Sequence, residues 1–420
     1  MIEVYGIVGN PVAHSKSPQM HNAVFKKLEI DAVYVRITAA NAQNAMSTAE
    51  KLGLKGFNVT APFKQDFLEI VDEIDEDAKA VGAVNTVIRK DKWIGYNTDV
   101  DGVKQALLSN GVEVRRKKAC VIGAGGAAKA AAHALMSEGA EVTIANRTQK
   151  KAKQLAEELN CRYCSLDDIL CDVIVSCVST LDRIVPKKIL RRGMVIFDAN
   201  YAGESALVSD AKEHGCKIID GREWLLFQGE KVFELFTERK APVQTMRKAV
   251  YQSERNAKRN IALTGFMGSG KSTVAKIMAK KREAIDIDEE IEKGAGTSIT
   301  KIFEEGEEKF RKLENDKIAE LENKNDCVIA CGGGCIIDKD NVKMLKNTCL
   351  VFLLWANKKT IMERIGNDKN RPLLKSIDEL MEKRFPLYMK AADVIVDTEG
   401  KTPEETAEMI EYEVDKAIEH

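Results

Sequence analysis

The sequence predicts an α/β protein made of successive units, and three observations carry that expectation. Short apolar runs bounded by turn residues alternate with amphipathic helical stretches through most of the chain. One strand runs into the glycine loop Gly123-Ala-Gly-Gly-Ala-Ala128, and a later one into Gly265-Phe-Met-Gly-Ser-Gly-Lys-Ser272. Each loop is preceded by a strand and followed by a helix, the context in which backbone N–H groups cradle phosphates.

Taken in order, residues 1–100 offer strands at Glu3 to Val8, Val33 to Ile37, Gly56 to Val59 and Val84 to Ile88, separated by helices. This is an α/β lobe of its own. Within it, Ser17 followed by Pro18 is a helix N-cap with proline at the first helical position. From Val114 to Asp220, strands at Ala119 to Ile122, Val142 to Ala145, Val173 to Cys177 and Val195 to Asp198 alternate with helices, as in a doubly wound, Rossmann-like parallel sheet. Helical periodicity over Trp224 to Phe236 and Val243 to Gln252 lets the chain return to the first lobe. Residues 253–259 form a charged connector, and a third α/β unit of the P-loop type fills 260–420. The expected domains are thus 1–100 with helices from 224–252, 101–223, and 260–420.

Composition narrows the function. With 64 basic and 65 acidic residues the chain has no electrostatic case for a nucleic-acid partner. Neither a secretion signal nor a membrane-length apolar run is evident, so a cytoplasmic small-molecule enzyme is expected; a homodimer is compatible with the sequence. The ten cysteines suit reduced thiols. Cys161, Cys164, Cys171 and Cys177 mimic a metal knuckle, but no histidine completes the set and the first pair falls where a buried strand is expected. Cys327, Cys331 and Cys335 straddle a triglycine that other chemistry explains better.

Gly123, Gly125, Gly126 and Ala127 have the smallness that lets a backbone approach a pyrophosphate. At the end of the next strand an NAD site places Asp or Glu for the ribose hydroxyl. Here Asn146-Arg147-Thr148 is followed by Lys150 and Lys151, and a cationic cluster suits a 2′-phosphate, favouring NADP(H). The plain alternative is that these cations solvate a helix start.

The first lobe carries many polar groups beside turns: His14-Ser15-Lys16-Ser17-Pro18, Asn58-Val-Thr60-Ala-Pro-Phe-Lys64, Asn85-Thr86 and Asn97-Thr98-Asp99. Taken singly, each reads as a cap or turn. Taken together they suit a pocket for a polyhydroxylated carboxylate, where a Lys and an Asp could move a hydroxyl proton during hydride transfer. Gly9-Asn-Pro-Val-Ala-His-Ser-Lys-Ser-Pro18, Gly56-Phe-Asn-Val-Thr-Ala-Pro-Phe-Lys64, Gly82-Ala-Val-Asn-Thr86, Asn97-Thr-Asp99, the glycine loop and Asn146-Arg-Thr148 resemble, in order and spacing, the shikimate dehydrogenases over about residues 1–252. The resemblance implies that Ser15 and Ser17 hold the substrate carboxylate, that Thr60, Asn85 and Gln228 contact its hydroxyls, that Lys64 and Asp99 are the catalytic pair, and that Tyr201 closes the pocket from the cofactor side. One stretch departs from the family pattern: Ser176-Cys-Val-Ser-Thr180 lacks the usual Asn, which bears on cofactor affinity and substrate breadth.

In the last unit Gly265-x4-Gly270-Lys271-Ser272 is a Walker A motif. Gly268, Ser269, Gly270 and Thr273 belong to the ATP cradle with Lys271, while Ser272 is the Mg2+ ligand. Asp286-Ile-Asp288 places two carboxylates where one can face the metal's water shell and the other an acceptor hydroxyl. Arg311, Arg371 and Arg384 are forks for carboxylate or phosphate, although any one of them alone reads as a surface residue. With Glu308-Lys-Phe-Arg311, Gly332-Gly-Gly334, Arg371-Pro-Leu-Leu374 and Arg384-Phe-Pro-Leu-Tyr388, the unit resembles the shikimate kinases, of nucleoside-monophosphate-kinase-like fold. That likeness implies that Asp288 binds the ring hydroxyls and assists the attacking oxygen, that Arg311 and Arg384 hold the carboxylate, and that Gly332, Gly333 and Gly334 leave room beside the ring. It also puts Arg371 on a lid, Arg364 beside the adenine, and Asp286 on Mg2+ through water.

The expectation is a bifunctional enzyme: NADPH reduces 3-dehydroshikimate to shikimate, which MgATP then phosphorylates at the 3-hydroxyl. The competing readings are a shikimate- or quinate-responsive regulatory or binding protein that has lost chemistry, and a dehydrogenase half that prefers quinate.

Overall fold

A computed structural model describes residues 2–201, 203–252, 260–321, 324–366 and 377–419. The 253–259 connector and Arg371 lie outside the described residues. Packing divides the chain into two compact units, one of Met1–Pro18, Asp31–Leu54 and Ser253–His420, the other of Gln19–Ile30 and Lys55–Gln252.

In the first unit a parallel sheet runs in the order Glu283–Asp286, Cys327–Ala330, Asn260–Thr264, Cys349–Trp355, Val394–Asp397, Ala32–Thr38, Glu3–Gly9. The central strands are largely apolar (Cys327-Val-Ile-Ala330 is wholly buried), as expected where helices cover both faces of a sheet. The P-loop strand Asn260–Thr264 lies in the middle, with Lys271–Met278 leaving its carboxyl end. The join to the amino-terminal strands is direct, with Ile395 opposite Ile37 and Val396 opposite Thr38.

The second unit holds a parallel sheet in the order Lys217–Asp220, Val195–Asp198, Val173–Ser176, Lys118–Ile122, Glu141–Ala145, Arg162–Cys164. Strand order reverses about Lys118–Ile122, so a crevice opens at its carboxyl end, between it and Val173–Ser176. Arg162–Cys164 is not the buried strand expected there. It is the sheet's outer edge, and Arg162 and Tyr163 are exposed because one side of the strand has no neighbouring strand among the described residues.

Gly56–Val59, Thr86–Arg89 and Trp93–Tyr96 form an antiparallel set in the same unit. Trp93–Tyr96 was not legible as a strand, because Arg89-Lys-Asp-Lys92 breaks the apolar run; Lys90, Asp91 and Lys92 are the turn of a hairpin in which Arg89 pairs with Trp93. The Gly221–Thr237 helix packs on Asp99–Ser109, where a Cβ on Gly102 would come within 3.0 Å of Trp224 and Gln228. On its other flank Phe233 and Phe236 meet His21, and Phe233 also meets Phe25. Burial pushes the His21 imidazole down to about 3, so it packs as a neutral ring. No described helix is long and apolar enough to cross a membrane.

Candidate active sites

The glycine loop lies where the crevice predicts. Gly123 N donates to Ala145 O at 2.9 Å and Cys177 N to Ile122 O at 2.8 Å, which draws the loop and the Ser176–Thr180 segment together. Gly125 and Gly126 are exposed, and Cβ atoms built on them would meet nothing within 4 Å. Ala127 follows in the first turn of the Gly126–Ser137 helix, whose N–H groups point towards that open floor. Asn146 Nδ2 donates to Thr148 O at 3.2 Å, forming a turn from which Arg147, Thr148 and Lys151 face solvent. The donors, the open floor and the exposed cations fit a phosphorylated dinucleotide. Cys177 is half-buried, and desolvation with the Asp198 and Asp99 carboxylates drives its thiol well up, so it stays a neutral thiol beside the loop.

In the same unit Lys64 Nζ donates to Asp99 Oδ2 at 2.6 Å, joining groups 35 residues apart in sequence. Both are partly accessible. Asp99 opens the Asp99–Ser109 helix, where unsatisfied N–H groups favour a carboxylate, and Asp99 N donates to Asn97 Oδ1 at 3.2 Å. Beneath the pair lies a buried polar web. Asn85 Oδ1 accepts from Thr98 N at 2.8 Å and from Thr86 Oγ1 at 2.9 Å, while Asn58 Nδ2 donates to Thr86 Oγ1 at 2.9 Å. Gln228, from the Gly221–Thr237 helix, accepts from Thr98 Oγ1 at 3.4 Å. Thr60 is half-buried where the Gly56–Val59 strand ends, and Tyr201 is 36% exposed just past Val195–Asp198. The Asn58–Thr86–Thr98 web had no role assigned from sequence; its members lie in the quoted motifs, but short polar residues at turns look alike there.

In the other unit Ser15 and Ser17 are buried and linked, with Ser15 Oγ 3.3 Å from both Ser17 Oγ and Ser17 N.

The P-loop turns through Gly265, Gly268 and Gly270, at φ of 146°, 76° and 99°, which a side chain would resist. Lys271 Nζ folds back on Gly265 O and Phe266 O at 3.0 and 3.1 Å, leaving Ser272 and Thr273 exposed at the helix start. Within the loop Ser269 is buried. Arg364 donates to Ser269 O at 3.4 Å and to Thr398 Oγ1 and O at 2.9 and 2.7 Å, which ties the loop to the Val394–Asp397 strand end.

The triglycine faces this loop. A Cβ on Gly333 would stand 3.7 Å from Gly265 O, one on Gly332 2.9 Å from Asp288 Oδ1 and 2.8 Å from Glu314 Oε1, and one on Gly334 2.5 Å from the Arg311 guanidinium. Arg384 Nη1 and Tyr388 Oη both donate to Gly333 O, at 3.2 and 2.6 Å. Asp288, Arg311, Arg384 and the triglycine are therefore together. Asp286 caps the Ile287–Ala295 helix by accepting from Asp288 N and Glu289 N, at 3.1 and 3.4 Å.

Burial, then the Asp286 charge, pushes the Asp288 carboxyl above the ordinary range, against the pull of Lys271 and Arg311. Its Oδ1 is buried with no hydrogen-bond partner among the described residues. A desolvated carboxylate with an unused acceptor suits a substrate hydroxyl, and the exposed Ser272 hydroxyl with the Asp286 carboxylate is a donor set for Mg2+. Glu314 was missed from sequence. It is fully buried, accepts from Arg311 Nη1 at 2.8 Å, and its carboxyl is raised by burial. Its spacing of three from Arg311 was the available signal, and solvated helical pairs share it.

One unit thus has the build of a dinucleotide-dependent hydroxy-acid oxidoreductase, and the other that of a P-loop small-molecule kinase. Residues 7–87 match the shikimate dehydrogenase substrate binding domain, 105–200 the shikimate / quinate 5-dehydrogenase family, and 267–414 shikimate kinase. The chain is 43% identical over 265 residues to a shikimate dehydrogenase (NADP(+)) of Natronomonas pharaonis, a match spanning 60% of this chain and 100% of that protein. A shikimate dehydrogenase solved in complex with NADP+ matches with a TM-score of 0.56 at 36% identity, over 59% of this chain and 94% of that one. The Thermus thermophilus enzyme, solved with NADP(H) and shikimate, matches with a TM-score of 0.56 at 29% identity, over 59% and 98%. The chain belongs to the shikimate dehydrogenase family and continues into a shikimate kinase domain.

Proposed function

We propose that the chain catalyses consecutive steps of aromatic biosynthesis, the NADPH-dependent reduction of 3-dehydroshikimate to shikimate and the ATP-dependent phosphorylation of shikimate at its 3-hydroxyl. The observation that carries this reading is that each nucleotide loop has its own acid–base group, the Lys64–Asp99 pair for one and the desolvated Asp288 for the other. NADPH when bound supplies hydride to the carbonyl carbon, and MgATP supplies the phosphoryl group.

The chain's residues do the rest. Lys64 donates a proton to the carbonyl oxygen as hydride arrives, and Asp99 holds the ammonium in line. Asn85 and Gln228, fixed through Thr98, and Thr60 orient the ring hydroxyls; Ser15 and Ser17 take the carboxylate, and Tyr201 shields the nicotinamide side. Gly123, Gly125, Gly126 and Ala127 admit the pyrophosphate, and Asn146, Arg147, Thr148 and Lys151 recognise the 2′-phosphate. In the kinase, Asp288 takes the 3-hydroxyl proton as its oxygen bonds to the γ-phosphorus and the bond to the ADP oxygen breaks. Lys271 and Arg371 would neutralise the phosphates in a cradle made by the amides of Gly268, Ser269 and Gly270 and by Thr273, Arg364 would flank the adenine, and Ser272 would ligate Mg2+ with Asp286 orienting it through water. Arg311 and Arg384 bind the carboxylate.

In separate assays on one preparation, Lys64→Ala abolishes dehydroshikimate-dependent NADPH oxidation and spares shikimate-dependent ADP release; Lys271→Ala does the reverse. Loss of both activities in either variant contradicts independent sites, and absence of turnover in the parent chain favours a binding protein.

A further inference from the structure

Near the end of the chain lies a group that the two reactions do not use. Glu413, on the Pro403–Glu419 helix of the kinase domain, is completely buried. Its Oε2 accepts from Val12 N and Ala13 N, both at 2.8 Å, and its Oε1 from Val12 N at 3.1 Å. Consecutive amides turned to one carboxylate form an anion nest, here occupied by a side chain 400 residues away in sequence. Val12 is itself fully buried, so without Glu413 its amide would lack both water and partner.

The segment held in this way leads into the serines. Val12 O accepts from Ser15 N at 3.0 Å, closing the turn. The far side is fixed by Arg36, whose Nε and Nη2 donate to Ser15 O at 3.0 and 2.6 Å while its Nη1 donates to Asp393 O at 3.3 Å. Asp393 lies just before the Val394–Asp397 strand, which pairs with the strand that carries Arg36. Kinase-domain groups therefore clamp the Val12–Ser17 turn at both ends, one directly and one through Arg36. The neighbouring Ala42–Lys51 helix is bound likewise: Thr48 and Lys51 donate to Asp397 Oδ2 at 3.1 and 3.0 Å, and Lys51 pairs with Glu399 at 2.7 Å.

We infer that Glu413 is a positioning residue for the dehydrogenase, setting the Val12–Ser17 turn so that Ser15 and Ser17 meet the substrate carboxylate. The inference rests on the proposed role of those serines. It makes the kinase domain's last helix part of the dehydrogenase's substrate recognition.

The test uses the full chain with Glu413→Ala, Glu413→Gln and, as a control on the same helix, Glu408→Ala, whose side chain is exposed. NADPH oxidation and ADP release are measured on each sample. Loss of a charged acceptor at two amides raises the KM for dehydroshikimate roughly tenfold or more in Glu413→Ala, with a smaller change in kcat. Glu413→Gln, whose carboxamide oxygen still accepts, lies between it and the parent, while Glu408→Ala and the kinase KM for shikimate stay at parent values. Should Glu413→Ala lose both activities through unfolding, Glu413→Gln decides alone. A dehydroshikimate KM within twofold of the parent in the folded variants, whatever their thermal stability, overturns the inference. A parent chain that reduces no dehydroshikimate refutes instead the function on which it rests.

Discussion

Substituting alanine at each of the three adjacent glycines in turn separates chemistry from binding in the kinase. None of the three has φ in the left-handed region, so the backbone accepts alanine and the effect lies in what the new methyl meets. At Gly332 it would stand 2.9 Å from Asp288 Oδ1 and 2.8 Å from Glu314 Oε1, whereas ordinary contact begins at 3.4 Å. Glu314 is buried and tied to Arg311, so the Asp288 carboxylate gives way, by about half an ångström. An ångström of misplacement at a reacting group costs about a hundredfold in rate, so half of that costs about tenfold, or about 1.4 kcal/mol of barrier. At Gly334 the methyl would instead displace the Arg311 guanidinium, 2.5 Å away, and raise the KM for shikimate with less effect on kcat. At Gly333 the nearest atoms are 3.7 Å away and the parent rate largely survives. The assay is ADP release against shikimate concentration, with NADPH oxidation on the same sample as internal standard. Equal effects at all three positions, or a parallel fall in the dehydrogenase, refute the reasoning.

Other outcomes follow from the same geometry. Arg147 is exposed beside the open glycine floor, and Arg147→Asp raises the KM for NADPH roughly tenfold or more by losing a charge-assisted contact, while NADH is little affected; equal loss with both cofactors removes the basis for NADP preference. Asp288 must be ionised to accept a proton, and its carboxyl is raised, so kinase kcat falls with falling pH at a value above the ordinary Asp range. Asp286→Asn keeps an N-cap acceptor but removes the largest raising charge after burial. The acid limb of the kinase therefore moves to lower pH even though the rate drops through weaker Mg2+ binding, and an unmoved or rising limb contradicts this account.

Legibility in the sequence followed how local the physical constraint was. Both phosphate loops were evident because their demands, small residues between a strand and a helix, are met within eight residues. Lys64 and Asp99 are further apart, and their 2.6 Å contact was expected through the order of several motifs and not from any single spacing. Glu314 and Glu413 escaped because a glutamate on an amphipathic helix reads as solvated, one among 65 acids. Their burial is decided by Arg311 in one case and by the amides of Val12 and Ala13 in the other. The Trp93–Tyr96 strand was hidden by the charges of its own turn.

The least legible feature was strand pairing across the length of the chain. Ala32-Val-Tyr-Val-Arg-Ile-Thr38 and Val394-Ile-Val-Asp397 each look like a strand, but periodicity does not say which strand lies beside which. A local hint exists in Arg36, a guanidinium that is 7% exposed in an otherwise apolar run. Such a charge needs partners, and it finds them in the carbonyls of Ser15 and Asp393. Each strand would otherwise present unpaired N–H and C=O groups on that side, and the parallel pairing of Ile37 with Ile395 and Thr38 with Val396 joins the two edges near their carboxyl ends. Residues 1–18 and 31–54 accordingly pack with the kinase domain although they precede the glycine loop in sequence. Substitution at Lys64 or Lys271 therefore tests the two proposed activities within the intact chain, whereas a cut between 252 and 260 would also take Glu413 from the amides of Val12 and Ala13, and the Asp393 carbonyl from Arg36.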